Sequence, residues 1–156
     1  MKVIVIGPRG KMGKLITQVA AERDDMELVA GVAPAGRDYV GQDLGMVALI
    51  GRNLGVPVVD DLAAVIDGCD VIIDFSTREN ALKVLDLAVK HGKALVCGTT
   101  GFSEEEFARF KEAAKTIPML YAANTSKLVN IMNKLLEMVT KTLGEDADIE
   151  ILEMHD

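Results

Sequence analysis

The sequence predicts a doubly wound α/β domain: an open, mostly parallel sheet with helices on both faces. Two observations carry this. Apolar strand-like runs alternate with amphipathic helical patterns along most of the chain, the order that builds parallel sheets through βαβ crossovers. The runs themselves are continuously apolar rather than alternating, as strands buried on both faces must be. A length of 156 residues allows about one domain with a continuous core.

The elements follow in order. "KVIVIG" is the first buried strand, ended by Gly7, and a helix runs from about Lys11 to Arg23 with Met12, Leu15, Ile16 and Val19 as its apolar side. "ELVAGV" is the second strand. Residues 33–57 hold five glycines and two prolines and read as loop around weak local structure. "CDVIIDFS" is the next strand, with a helix from about Glu79 to His91 behind it, and "KALVCGTTG" is a strand broken by glycine. "SEEEF" carries a capping box, Ser103 before the helix and Glu106 three residues on, with Phe107, Phe110 and Ala114 continuing the apolar side. "PMLYAAN" is a further strand. In the last and longest helix Leu128, Met132, Leu135, Leu136, Val139 and Leu143 recur at helical spacing until Gly144 stops it, and its methionines read as core filler. Ile149 and Ile151 alternate with Glu150 in "DIEILEM", a half-buried strand whose free edge calls for a cover, and a homo-oligomer contact is one such cover.

Composition excludes several classes. A net charge of −7 argues against nucleic acid as a partner, because phosphate backbones need a basic face. No run of ~18 apolar residues exists, so no spanning helix is expected. "VIVIG" after Met1-Lys2 is too short for a secretory core, which gives a cytoplasmic expectation. Cys69 and Cys97 stand in or beside strand-like runs and read as buried thiols, not as a disulfide or metal site. With two histidines far apart, no metal-ligand cluster is visible.

The sharpest motif is "VIVIGPRGKMGK". Gly7, Gly10 and Gly13 stand between a buried strand and a helix, where glycines allow a tight turn and let backbone approach a pyrophosphate at the helix N-terminus. Arg9, Lys11 and Lys14 add positive charge around the turn. In this context a Rossmann-like nucleotide site is favoured over a glycine turn serving packing alone. An acid is expected ~20 residues on to hold the ribose hydroxyls. Ala33 stands there, and the first carboxylate is Asp38, five residues later. Arg37 is placed to meet a 2′-phosphate, which leans toward NADPH over NADH or toward a site taking both.

Four stretches together, "GPRGKMGK", "VIIDFSTREN", "VCGTTGF" and "YAANTSKLVN", resemble the 4-hydroxy-tetrahydrodipicolinate reductases, also called dihydrodipicolinate reductases, of lysine (diaminopimelate) biosynthesis. "DIEILEMH" is similar to the strand that carries that family's catalytic histidine. The resemblance covers essentially the whole chain. It implies an oxidoreductase delivering hydride from NADPH or NADH to a small cyclic dicarboxylate. It also implies that Gly7, Pro8, Arg9, Gly10, Lys11, Met12 and Gly13 hold the pyrophosphate. Phe75, Gly98, Thr99 and Thr100 would lie along the cofactor, with Ala122, Ala123, Asn124 and Thr125 near the nicotinamide. Read by itself, "GTTG" fits a tight turn equally well. His155 takes the place of the proton donor; without the resemblance, a histidine there reads as an exposed bystander.

The resemblance also implies two parts, a dinucleotide-binding domain over residues 1–125 and, over residues 126–156, the start of a substrate and tetramer-building domain. Asp156 stands where the common pattern has a second histidine. Thr125 replaces a large apolar residue, Lys127 is an unexpected charge, Leu128 replaces a glycine, and Arg78 replaces a proline. A catalytic lysine and a Gly-Thr pair for the substrate carboxylate are not found. Two expectations stand side by side: a short or truncated form of the reductase, and a non-catalytic nucleotide-binding module. A different nicotinamide dehydrogenase with a similar first domain is disfavoured by "GTTGF" beside "AAN".

Overall fold

The computed structural model describes residues 1–152 and 154. Six strands, β1 (Lys2–Ile6), β2 (Glu27–Val32), β3 (Val58–Val59), β4 (Val71–Asp74), β5 (Ala94–Cys97) and β6 (Met119–Tyr121), form one sheet in the order β3-β2-β1-β4-β5-β6. Every neighbouring pair is parallel. Helices cover both faces. Ile4, Ile6, Ile72, Leu95 and Cys97 pack with Ala81, Val84, Leu85 and Ala88 of α3 (Arg78–His91) and with Phe110 and Ala113 of α4 (Glu104–Ala113). On the other face Val3, Val5 and Val71 meet Ile16 of α1 (Lys11–Ala21). The expected doubly wound α/β fold is the observed one. The alternate residues of one short strand thus fill two separate cores, which is why "VIVI" has no polar side.

Local signals explain the boundaries. Ser103 accepts from the Glu106 N–H while the Glu106 carboxylate accepts from the Ser103 N–H, the reciprocal cap that starts α4. Gly92, at φ +62°, ends α3 in the left-handed region. Phe102, Phe107, Phe110 and Tyr121 then form one aromatic cluster, with Phe107 and Tyr121 edge to face at 4.9 Å between centroids.

The face of α1 differs from its expected one. Gly13, Thr17 and Ala20 are buried, whereas Met12, Leu15 and Val19 are exposed and only Ile16 of the expected set packs inward. Small residues let the helix lie close against the sheet, and the Thr17 hydroxyl donates to the Gly13 carbonyl at 2.7 Å instead of being stranded. Spacing favours the bulky stripe, but close approach decides the buried one.

Residues 33–57 are more ordered than their glycines suggest. Asp43 accepts N–H bonds from Gly45, Leu54, Gly55 and Val56, closing this segment around the short helix α2 (Leu44–Val47). Partial burial pushes the Asp43 carboxyl up, but the four N–H donors outweigh it and hold the carboxyl below its ordinary range. β3 follows at once, a two-residue strand that the apolar pattern hides.

Packing divides the chain into two compact units, Met1–Ala123 and Asn124–Asp156. The second contains α5 (Lys127–Leu143), capped by the Ser126 side chain and stopped at Gly144. None of its residues is buried, so the expected core role of Met132, Leu135 and Leu136 is not observed. Nor do residues 148–152 form the expected strand. An isolated apolar alternation has no ladder partner, and without one its N–H and C=O groups gain nothing from extending. The sheet edge expected there is therefore absent among the described residues. No helix among them is long and apolar enough to cross a membrane.

Candidate functional site

Chain order in the sheet reverses between β1 and β4, and a crevice opens beyond the carboxyl ends of the strands at such a point. A cleft of about 710 Å³ lies there. Ile6, Gly7 and Gly10 line it from the end of β1, Val32, Ala33, Pro34, Ala35 and Arg37 from beyond β2, and Asp60, Asp61 and Leu62 from beyond β3. Phe75, Ser76 and Thr77 follow β4, and Glu79, Asn80 and Lys83 come from the first turns of α3. A second hollow of about 380 Å³, between Leu85 and Val89 of α3 and Arg109 and Ala113 of α4, includes no strand-end residue.

The glycine loop is built for contact with backbone. Gly7 takes φ +67°, and its carbonyl accepts from the Gly10 N–H at 2.9 Å. A Cβ on Gly13 would collide with the Gly7 carbonyl oxygen and stand 2.9 Å from Pro8 Cα, so only glycine lets α1 start against its own loop. Gly10 is the N-cap of α1 and offers no side-chain acceptor, and no acid stands in the first turn. The first N–H groups of α1 are left for an anion, with the positive end of the helix dipole behind them.

Charges on the rim are arranged in a way the sequence did not give away. Arg9 is drawn aside: it pairs with Asp38 at 2.8 Å, both exposed, and lies 5.0 Å over the Tyr39 ring. Asp38, the first acid past the second strand, is thereby occupied. Arg37 lines the cleft, as do Asp60 and Asp61 from the neighbouring strand. Those two carboxylates, with Ser76, Thr77, Asn80 and Lys83, are cleft residues that motif reading missed. The signal was present in "VVDDL", because β3 ends beside β2 and delivers its acids to the same rim.

Behind the rim, Phe75 covers Gly98. A Cβ at Gly98 would collide with Cε1 and Cζ of that ring. The Gly98 N–H donates to the Asp74 carbonyl at 2.9 Å, and the Ala122 N–H to the Cys97 carbonyl at 3.1 Å, so the ends of β4, β5 and β6 are stitched in sequence. Thr99 is buried and Thr100 exposed. Burial pushes the Cys97 thiol up to about 11, with nearby Asp74 adding to the rise and the Thr99 N–H opposing it.

The cleft brings Gly7, Gly10, Arg37 and Phe75 together, with Lys11 and Met12 exposed on the first turn of α1 and Pro8 buried beneath. Gly98, Thr99 and Thr100 lie next to it through Phe75 rather than on its lining. Ala122 and Ala123 close the first unit. Asn124 and Thr125 open the second, where Asn124 accepts from the Ser126 N–H at 2.8 Å and serves the start of α5. His155 falls outside the described residues.

Comparison with known proteins agrees with this architecture. Residues 1–125 match the family model described as dihydrodipicolinate reductase, N-terminus. The 4-hydroxy-tetrahydrodipicolinate reductase of Geobacter metallireducens is 46% identical over 155 residues, covering 99% of this chain and 58% of the relative. That of Hahella chejuensis is 42% identical over 154 residues, covering 99% and 57%. The dipicolinate-bound dihydrodipicolinate reductase from Paenisporosarcina sp. TG-14 superposes with a TM-score of 0.72 at 26% identity, over 90% of this chain and 53% of that one. The chain therefore spans a little over half the length of its curated relatives. From its glycine loop to the strand-end turns at Phe75 and Gly98, this chain belongs to the dihydrodipicolinate reductase family.

Proposed function

We propose that the chain is the cofactor-binding part of a reductase that reduces 4-hydroxy-tetrahydrodipicolinate in lysine (diaminopimelate) biosynthesis. The observation that carries this reading is the cleft at the switch point, lined by Gly7 and Gly10 of a glycine loop whose Gly13 leaves no room for a Cβ, and faced by the uncapped start of α1. Such a start attracts phosphate oxygens. In this reading residues 7–13 hold the pyrophosphate and Phe75 borders the cofactor. Residues 98–100 run beside it, and Ala122, Ala123, Asn124 and Thr125 take the nicotinamide end. When bound, the reduced nicotinamide supplies the hydride. His155 supplies the proton, a task suited to an imidazole. Residues 126–156 begin the substrate domain.

The rim accommodates either nucleotide. Arg37 offers a cation to a 2′-phosphate, and Asp60 and Asp61 offer acceptors to free ribose hydroxyls. The expected order is NADPH ahead of NADH, with both bound.

Titration with each reduced nucleotide, followed by its fluorescence, tests the first half. A Cβ on Gly10 stands 3.2 Å from the Gly7 carbonyl oxygen, so Gly10→Leu fills the space a pyrophosphate needs and abolishes binding. Unchanged affinity in that variant removes the site. Oxidation of the nucleotide with freshly generated substrate tests the second half. Any turnover falls by about 100-fold or more in His155→Ala, the scale of a lost general acid; full activity in that variant removes His155 from the mechanism. Binding without turnover in the unaltered chain favours a non-catalytic module.

A further inference from the structure

Two buried side-chain polar atoms have no hydrogen-bond partner among the described residues: Asp74 Oδ2 and Thr99 Oγ1. They stand on adjoining strand ends. Asp74, wholly buried, closes β4 in register with Ile6 on one side and Cys97 on the other. Thr99 lies two residues beyond Cys97, and the intervening Gly98 is tied to the Asp74 carbonyl. Asp74 Oδ1 is engaged by the Ser76 N–H at 2.9 Å, which leaves Oδ2 as the free end of the carboxyl group.

Buried polar atoms are almost always satisfied, so two orphans on neighbouring strand ends beside a ligand cleft call for an account. A ligand does not reach atoms with no exposed surface, so a partner for either comes from within the protein; the Cys97 thiol lies beside the Thr99 hydroxyl, and Asp74 stands in register with that same Cys97. Rotation of Thr99 about its Cα–Cβ bond moves the hydroxyl between staggered wells without displacing the loop. Burial raises the Asp74 carboxyl and the Ser76 contacts only partly offset this; Oδ2 accepts from a hydroxyl when ionised and donates to it when protonated, so a hydroxyl suits it in either state.

We propose that Asp74 is a positioning residue for the nucleotide: in the bound state its Oδ2 pairs with the Thr99 hydroxyl and fixes the 98–100 turn against the cofactor. This rests on the nucleotide-binding reading above. Asp74 touches no ligand itself and acts through Thr99.

The test is a double-mutant cycle on NADPH affinity, with thermal unfolding of the nucleotide-free chain measured in parallel. Asp74→Ala and Thr99→Val each weaken NADPH binding by about 3- to 10-fold, the size of one net hydrogen bond. The double variant is no weaker than the worse single one, because both remove the same contact. Asp74→Asn keeps a donor and stays within about 2-fold of the parent. Losses that multiply in the double variant overturn the pairing, as do lowered unfolding temperatures with NADPH affinity unchanged. If Asp74→Ala does not fold, Thr99→Ser against Thr99→Val decides: equal affinities sink the proposal, and retention in serine alone supports it. Absence of NADPH binding in the parent chain overturns this inference and the cofactor reading together. Additive losses with the parent binding normally overturn this inference alone.

Discussion

The turn after β1 and the turn after β5 both carry glycines at strand ends, yet they are built on opposite principles. The first is a backbone device, in which Gly7, Gly10 and Gly13 bring carbonyls and N–H groups together and the charged side chains Arg9 and Lys11 stay in solvent. Its one ion pair, Arg9 with Asp38, is exposed and contributes little. The second is a side-chain device, with an aromatic ring seated on Gly98, a buried threonine and a thiol raised by desolvation. A clash in the first therefore meets backbone that cannot rotate away. A clash in the second meets a side chain that can, at the expense of the cleft.

Gly13→Ala exploits the first difference and has the largest expected effect. The new methyl meets the Gly7 carbonyl oxygen, with Gly7 C at 2.8 Å and Pro8 Cα at 2.9 Å. Relief requires α1 to move off its loop, which also disturbs the close fit made by Thr17 and Ala20. A loss of about 3 kcal/mol is expected, at the upper end for overpacking. Nucleotide affinity falls at least about tenfold, because the N–H groups proposed to face the phosphates move with the helix. Chemical denaturation and fluorescence titration check both. An unperturbed midpoint would place α1 farther from the loop than the structure has it.

Much of this contrast was legible in the sequence, but unevenly. "GPRGKMG" after an apolar run announces its own geometry, since glycine spacing between strand and helix has few other uses. The capping box at Ser103 and the stop at Gly144 are equally local and read directly. The buried face of α1 was not, because Leu15 and Val19 score as apolar wherever they point, and only the close approach at Gly13 turns them outward. Asp43 gives no sign in sequence that its carboxylate gathers four N–H groups from as far away as Val56. The acids of the cleft were sought at the end of β2 and found at the end of β3, because register between distant strands is a tertiary fact. "DIEILEM" alternates like a strand, and alternation alone does not supply a ladder. Asp74 and Thr99 belong to this class too: each reads as an ordinary strand-end polar residue until burial leaves both without partners.

Gly98→Ala sharpens the comparison with a smaller effect. The added methyl takes the place of the Phe75 ring edge, and the ring, which already borders the cleft, swings toward it. Stability falls by about 1–2 kcal/mol, the usual range for a clash that a side chain relieves. Nucleotide affinity falls with it, because the displaced ring enters the cleft proposed for the cofactor. Removing the ring separates these effects. In the Gly98→Ala/Phe75→Ala double variant the methyl has nothing to strike, so the two substitutions together cost less than the sum of their separate effects. No comparable rescue exists for Gly13→Ala, whose obstacle is the Gly7 carbonyl itself. If the Gly98→Ala loss persisted undiminished without the ring, the turn after β5 would be as rigid in its backbone as the turn after β1. The two would then differ in composition but not in kind.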